Sequence, residues 1–135
     1  MAEMAGLVYQ GELRTQAEHF GSGQKIITDA PLDNNGKGEA FSPTDLLASS
    51  LAACALTVMG IRARKEGFDL EETRATVEKI MASDPRRVAE VKVKISLKAN
   101  CDAKMQKILE GIGKNCPVSK SLSSDLIQDI QFEWH

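Results

Sequence analysis

Three cysteines could carry covalent chemistry in this chain: Cys54, Cys101 and Cys116. A cysteine thiolate is a strong nucleophile, and its reactivity depends on the pKa and the exposure of the thiol. The three cysteines form no Cys-x-x-Cys pair, and their odd number argues against a disulfide framework. The two histidines, His19 and His135, show no metal-ligand spacing with the cysteines, so we expect neither a metal site nor another cofactor.

The sequence places two of these cysteines beside helix signals. Cys116 is followed by Pro117, which suits the first position of a short helix. Because the unpaired amides of a helix N-terminus stabilise a thiolate, we expect the pKa of Cys116 to be lowered. Cys54 falls on the apolar stripe of a longer predicted helix, where burial would leave it inert unless a cation or a hydrogen-bond donor reached it. Taken singly, each is also typical of a small buried core residue.

The helix that would position Cys54 begins at a clear N-terminal signal. Ser42 can cap it, Pro43 suits its first position, and Asp45 suits the positive end of its dipole. Gly67 can end it after about 24 residues. Its predicted apolar stripe consists of Leu47, Leu51, Cys54, Val58 and Ile61. The uncharged residues 46–61 are too few and too polar for a membrane span of about 20 apolar residues, which predicts a buried core helix.

The rest of the chain favours strands. An alternating run over residues 7–14 and a short run over residues 25–28 predict an N-terminal hairpin, followed by an irregular loop over residues 31–41. Residues 70–80 and 88–99 predict two further strands that form a hairpin, and a helix and a last strand are predicted over residues 102–114 and 126–134. Over residues 88–99 the apolar side chains alternate with polar ones, which predicts one solvated face and one apolar face formed by Ala89, Val91, Val93, Ile95 and Leu97. Strands segregated from helices predict a single α+β domain over residues 1–135 with a mostly antiparallel sheet.

Two motifs together resemble the OsmC/Ohr family of thiol-dependent hydroperoxide reductases. They read SPTDLLASSLAACALTVM over residues 42–59 and NCPVSKSL over residues 115–122. The family pattern is a proline-started helix with a cysteine among small residues, followed by a cysteine in a Cys-Pro-Val-Ser turn. Cys54 and Cys116 match these two positions, and Cys101 has no counterpart. The order of predicted elements extends the resemblance to nearly the whole chain.

The resemblance implies a fold, an assembly and a reaction. The fold would be OsmC-like, in an intertwined homodimer whose long helices are buried between the subunits. Cys54 would attack a hydroperoxide and become a sulfenic acid, and Cys116 would resolve it as a disulfide that an external dithiol, such as a lipoyl group, reduces. Such a reaction needs a thiolate, a cation beside it and a second thiol that prevents over-oxidation.

This chain departs from the family pattern at one position. Members carry a Glu directly after the helix-starting proline, and that Glu pairs with an Arg that activates the attacking cysteine. Thr44 stands there instead. The adjacent Asp45 would point elsewhere, because each helical residue turns by about 100°, and it is better explained as a helix-end charge. Arg14 is the candidate for the family arginine, with His19 and Lys25 as alternatives and a solvated surface arginine as the structural explanation.

The composition excludes several other functions. The 17 basic and 19 acidic residues are interspersed, which leaves no footprint for nucleic acid or an anionic membrane. Four Phe, one Tyr and one Trp are too few for a base-stacking surface.

No signal-peptide pattern is present at the start, so we expect a cytoplasmic protein. Two alternatives to the peroxidase stay open: a redox-sensing or small-apolar-ligand-binding relative without efficient turnover, and a structural dimerisation module.

Overall fold

A computed structural model describes residues 2–135 as two compact units, residues 2–46 and residues 47–135. The strands are β1 (Ala5–Gly11), β2 (Arg14–His19), β3 (Lys25–Asp29), β4 (Arg74–Ala82), β5 (Arg87–Leu97) and β6 (Ile127–Trp134). The helices are α1 (Pro43–Lys65), α2 (Ala103–Lys114) and α3 (Pro117–Ser121). The strands form two three-stranded sheets, β1-β2-β3 and β4-β5-β6. Three of the four strand pairings are antiparallel, and β5 and β6 run parallel, which confirms the predicted α+β class.

The N-terminal sheet contains one strand more than the sequence predicted. Glu12 and Leu13 adopt positive φ angles of 54° and 64° in a tight turn, which splits the run predicted as one strand over residues 7–14. Arg14 therefore opens β2 instead of ending the first strand. The sequence of β2, RTQAEH, has Ala17 as its one apolar side chain, so its hydrophobic alternation was too weak to detect.

The start of α1 is fixed by a reciprocal pair of hydrogen bonds. The backbone N–H of Asp45 donates to Ser42 Oγ at 3.0 Å, and the backbone N–H of Ser42 donates to Asp45 Oδ2 at 3.0 Å. This capping box satisfies two otherwise unpaired amides of the first turn. It confirms the predicted helix start and accounts for Asp45 as a helix-end charge.

The buried face of α1 differs from the predicted stripe. Of the five stripe residues only Leu51 is buried, whereas Leu47 and Ile61 are exposed and Cys54 and Val58 are partly exposed. The buried residues of α1 are Ala48, Leu51, Ala52, Ala55, Met59 and Ala63. The prediction was wrong because it weighted large side chains, whereas the alanines allow the helix backbone to pack closely on the core.

The core of residues 47–135 forms between α1 and the second sheet. On the apolar face of β5, Val91, Val93, Ile95 and Leu97 are fully buried, as the alternation predicted, and Ala89 is partly buried. Leu109 of α2 completes this cluster together with residues of α1 and β6. The predicted hairpin is confirmed as the antiparallel pairing of β4 and β5.

By length and composition alone, α1 could cross a membrane, contrary to the prediction that its apolar stretch is too short and too polar. The core helix of a soluble protein can pass the same test, and Leu51 and Met59 of α1 lie in the hydrophobic core. We therefore interpret α1 as a core helix, as predicted.

Candidate active site

Cys54 and Cys116 are neighbours in space, although they lie far apart along the chain. Their side chains are close enough to interact, since Cys54 is one of the groups that raise the pKa of the Cys116 thiol. Cys54 lies within α1 and is partly exposed, whereas Cys116 is the N-cap residue of α3 and is 1% exposed. Cys116 belongs to the buried core and Cys54 packs against it, so the packing of α1 brings the two thiols together.

The pKa of the Cys116 thiol is raised from its ordinary value. Burial is the main cause, and the neighbouring Cys54 side chain acts in the same direction. Two backbone N–H groups oppose this effect: that of Ser119, which donates to Cys116 Sγ at 3.4 Å, and that of Val118. The predicted lowering of this pKa is therefore wrong, because burial disfavours the thiolate more than the two amides of a five-residue helix favour it.

The two thiols differ in their surroundings. Cys116 is buried, and burial together with the neighbouring Cys54 side chain favours its protonated form. Cys54 is partly exposed, so its sulfur is the more accessible of the two.

Cys101 is chemically separate from this pair. Burial raises the pKa of its thiol, and the neighbouring Asp102 carboxylate adds to the effect. Within residues 2–135, neither Cys54 nor Cys116 contributes to that shift. The structural or incidental role predicted for Cys101 stays a prediction.

The turn that carries Cys116 is bound by a side chain that the sequence analysis did not identify. Ser119 Oγ donates to Gln128 Oε1 at 2.6 Å, and Gln128 Nε2 donates to the Ser119 carbonyl at 3.0 Å. Ser119 Oγ also lies 3.0 Å from the Lys114 carbonyl, which ties the turn to the end of α2. A single glutamine in a strand carries no motif, so nothing in the sequence indicated this contact.

Arg14 lies in an ion-pair cluster within residues 2–46. Its Nε is 2.6 Å from Asp29 Oδ1 and its Nη2 is 2.7 Å from Asp29 Oδ2, while Nη2 also lies 3.0 Å from Glu39 Oε1. Asp29 is 1% exposed and also accepts the backbone N–H of Glu39 at 3.0 Å. The guanidinium holds the pKa of Asp29 below its ordinary value, and the Asp29 carboxylate raises the pKa of Arg14. Arg14 is thus a paired residue, and its action on Cys54 stays a prediction.

Of the other polar residues singled out by the sequence, His19 and Thr44 have local partners and Lys25 is exposed. His19 Nδ1 lies 2.7 Å from Ser22 Oγ in the turn after β2, and Lys25 is exposed at the start of β3. Thr44 Oγ1 lies 3.2 Å from Ser42 Oγ, so the position that holds Glu in the family pattern contributes a hydroxyl to the capped turn.

Comparison with known proteins identifies the family of this chain. Residues 36–128 match the family model described as OsmC-like protein. A crystal structure from Psychrobacter arcticus, named for an osmotic stress induced and detoxification response protein, is 50% identical. The alignment covers 98% of this chain and 97% of that one, with a TM-score of 0.94. The chain belongs to the OsmC-like family. The matched residues include both cysteines of the pair and begin after Arg14.

Two solved organic hydroperoxide resistance proteins share the fold of this OsmC-like chain at lower identity. OsmC from Legionella pneumophila is 19% identical over 99% of this chain and 98% of its own, with a TM-score of 0.65. OhrB of Bacillus subtilis is 15% identical over 100% of both chains, with a TM-score of 0.60. At these identities the likeness shows the fold alone, and it confirms the predicted OsmC-like architecture. None of the curated proteins compared matches this chain.

Proposed function

We propose that this protein is a thiol-dependent peroxidase in which Cys54 reduces a hydroperoxide and Cys116 resolves the oxidised product. The observation that carries the proposal is the pair of neighbouring free thiols, of which Cys116 is buried and Cys54 is partly exposed. A nucleophilic sulfur with a second thiol beside it is what two-cysteine peroxide reduction requires.

The proposed reaction balances in three steps. The Cys54 thiolate attacks the terminal oxygen of ROOH, the O–O bond breaks, and the alkoxide leaves and takes up a proton to give ROH. The sulfur is oxidised by two electrons to a sulfenic acid. Cys116 then attacks the sulfenic sulfur, the S–S bond forms, and the hydroxyl leaves as water with the Cys116 proton. An external dithiol, such as a lipoyl group, restores both thiols by exchange and becomes a disulfide itself.

We propose an organic hydroperoxide or hydrogen peroxide as the substrate. Two proteins of the same fold are named for organic hydroperoxide resistance, and the 50% identical relative is named for a detoxification response. These names support a role in the oxidative stress response. The reaction uses only thiol chemistry and takes no metal or other cofactor.

Arg14 is the proposed cation for the Cys54 thiolate, through its resemblance to the family arginine. Its charge is permanent, and the bidentate contact with the buried Asp29 fixes the plane of the guanidinium. Arg14→Lys keeps the charge but loses the bidentate geometry, so it should retain part of the activity that Arg14→Gln loses.

We further propose that the protein works as a cytoplasmic homodimer. Leu7, Ala17 and Ile26 are register partners across the first sheet and share one face with Tyr9. Leu7 is 65% exposed, Tyr9 64% and Ile26 49%. Soluble proteins rarely leave such contiguous apolar surface open to water, and a second subunit could cover it.

A peroxide-consumption assay with matched cysteine variants tests the peroxidase proposal. Cumene hydroperoxide and hydrogen peroxide are compared as substrates, and dithiothreitol and dihydrolipoamide as reductants. Cys54→Ser should abolish turnover, Cys116→Ser should lead to sulfinic acid at Cys54, and Cys101→Ser should keep the wild-type rate. Turnover by Cys54→Ser at the wild-type rate would contradict the proposal.

Thr44 supports a second candidate function, because it replaces the carboxylate of the family pattern. In that case the protein would sense oxidants through a reversible disulfide between the two thiols, or bind a small apolar ligand, without efficient turnover. Slow peroxide consumption together with complete, reversible disulfide formation would favour the sensor over the enzyme.

A further inference from the structure

We propose that Gln128 is a positioning residue for disulfide formation, because it holds Ser119 where the Ser119 amide donates to Cys116 Sγ. The inference rests on the thiol chemistry proposed for the pair. It assigns a specific role to a side chain outside both cysteine motifs.

The contact between Gln128 and Ser119 has two points. The Gln128 carboxamide accepts from Ser119 Oγ at 2.6 Å and donates to the Ser119 carbonyl at 3.0 Å. A carboxamide carries an acceptor oxygen and a donor N–H on one planar group, so it can bind the side chain and the backbone of one residue together. Two contacts restrict both the position and the orientation of Ser119.

The same residue contacts the sulfur. The backbone N–H of Ser119 donates to Cys116 Sγ at 3.4 Å, and this hydrogen bond lowers the pKa of the thiol against the larger effect of burial. Gln128, Ser119 and Cys116 therefore form one continuous chain of hydrogen bonds that ends at the reacting atom.

Gln128 lies in a paired strand of the sheet, whereas Ser119 lies in a short helix that gives it little support by itself. Gln128 lies on β6, where it is paired in register with the fully buried Val91 of β5. Ser119 belongs to α3, a helix of five residues, which is too short to be stable without tertiary contacts. The strand thus supplies rigidity that a five-residue helix cannot supply by itself.

Loss of this contact should slow the step in which Cys116 attacks oxidised Cys54. Without the Gln128 contact, the Ser119 N–H donates to Cys116 Sγ for a smaller fraction of the time. Less Cys116 thiolate then forms at a given pH, and the orientation of the Cys116 side chain varies more. One typical hydrogen bond corresponds to a factor of roughly five in rate.

The test uses Gln128→Leu, which shortens the side chain by one atom and removes both contacts, and Gln128→Glu, which keeps the acceptor and removes the donor. Gln131→Leu is the matched control, because Gln131 lies on the same strand and is exposed. The rate of Cys54–Cys116 disulfide closure with diamide is followed by alkylation and mass spectrometry. The Cys116 thiolate is titrated by its ultraviolet absorbance in a background with Cys54→Ser and Cys101→Ser.

In Gln128→Leu the disulfide should close roughly fivefold more slowly, and the Cys116 thiol should titrate at higher pH. Both values for Gln128→Glu should lie between those of Gln128→Leu and the wild type. Gln131→Leu should match the wild type in both. Should Gln128→Leu fail to fold, Ser119→Ala removes the hydroxyl contact alone and should slow closure as well. Wild-type closure and titration in these variants, with or without a lower melting temperature, would overturn the inference. Diamide needs no peroxidase activity, so a wild-type protein inactive on peroxides would refute the proposed function and leave this test valid.

Discussion

The buried thiol of Cys116 lies beside the partly exposed thiol of Cys54, and burial raises the pKa of Cys116. The two sulfurs are thus chemically unequal before any oxidant arrives. The partly exposed sulfur can meet a substrate, and the raised pKa of the buried one keeps on it the proton that a leaving hydroxyl would need. This inequality supports the order of attack and resolution proposed above.

The raised pKa of Cys116 predicts a loss of stability at alkaline pH. A folded-state pKa above the unfolded value of 9.0 means that the native state keeps its proton longer than the unfolded chain does. The contribution is fully present below the unfolded pKa and is lost as pH rises through the folded pKa. In urea unfolding at a series of alkaline pH values, the wild type should lose stability more steeply than Cys116→Ala. Parallel curves for the two proteins would refute the prediction.

The ion pair of Arg14 and Asp29 predicts a loss of stability in acid. The guanidinium holds the pKa of Asp29 below the ordinary value of 3.8, so its contribution is present above that value and is lost as pH falls through the folded pKa. Asp29→Asn should be less stable than the wild type near neutral pH, and the difference should shrink in acid. Glu39→Gln is the control, and it should have a smaller effect because Glu39 is 66% exposed. A pH-independent difference for Asp29→Asn would contradict this account.

The apolar face of the first sheet predicts self-association. Sedimentation should show the wild type as a dimer, and the double variant Leu7→Glu with Ile26→Glu as a monomer with an intact far-ultraviolet spectrum. Lys25→Glu is the matched control, because it changes the charge of an exposed neighbour of Ile26 on the same strand. A monomeric wild type, or a dimeric double variant, would rule this interface out.

Local signals in the sequence were sufficient for much of the fold. The alternation in β5 placed its buried face correctly, and Ser42 and Asp45 form the cap that their spacing indicated. The strand β2 was missed because its side chains are almost all polar, so its place depends on pairing with β1 and β3. Pairing with neighbouring strands leaves little trace in the hydrophobic pattern of a strand whose side chains are polar.

The sequence was sufficient to identify the two thiols of the candidate site. It was not sufficient to identify the residues and the burial that surround them. Cys54 and Cys116 could be paired through the two motifs, but the effect of burial on Cys116 depends on the whole core and outweighs the amides beside it. Asp29 and Gln128 carry no motif, and only the fold brings them to Arg14 and Ser119.

The central claim, that Cys54 and Cys116 react as a pair, is tested most directly by a single turnover without reductant. Reduced protein receives one equivalent of cumene hydroperoxide and is alkylated, digested and mapped by mass spectrometry. The account predicts one cross-link, between the peptides of Cys54 and Cys116 within one chain, with Cys101 alkylated and one equivalent of cumyl alcohol released. Peroxide consumption that leaves both thiols free, or a disulfide through Cys101, would contradict it.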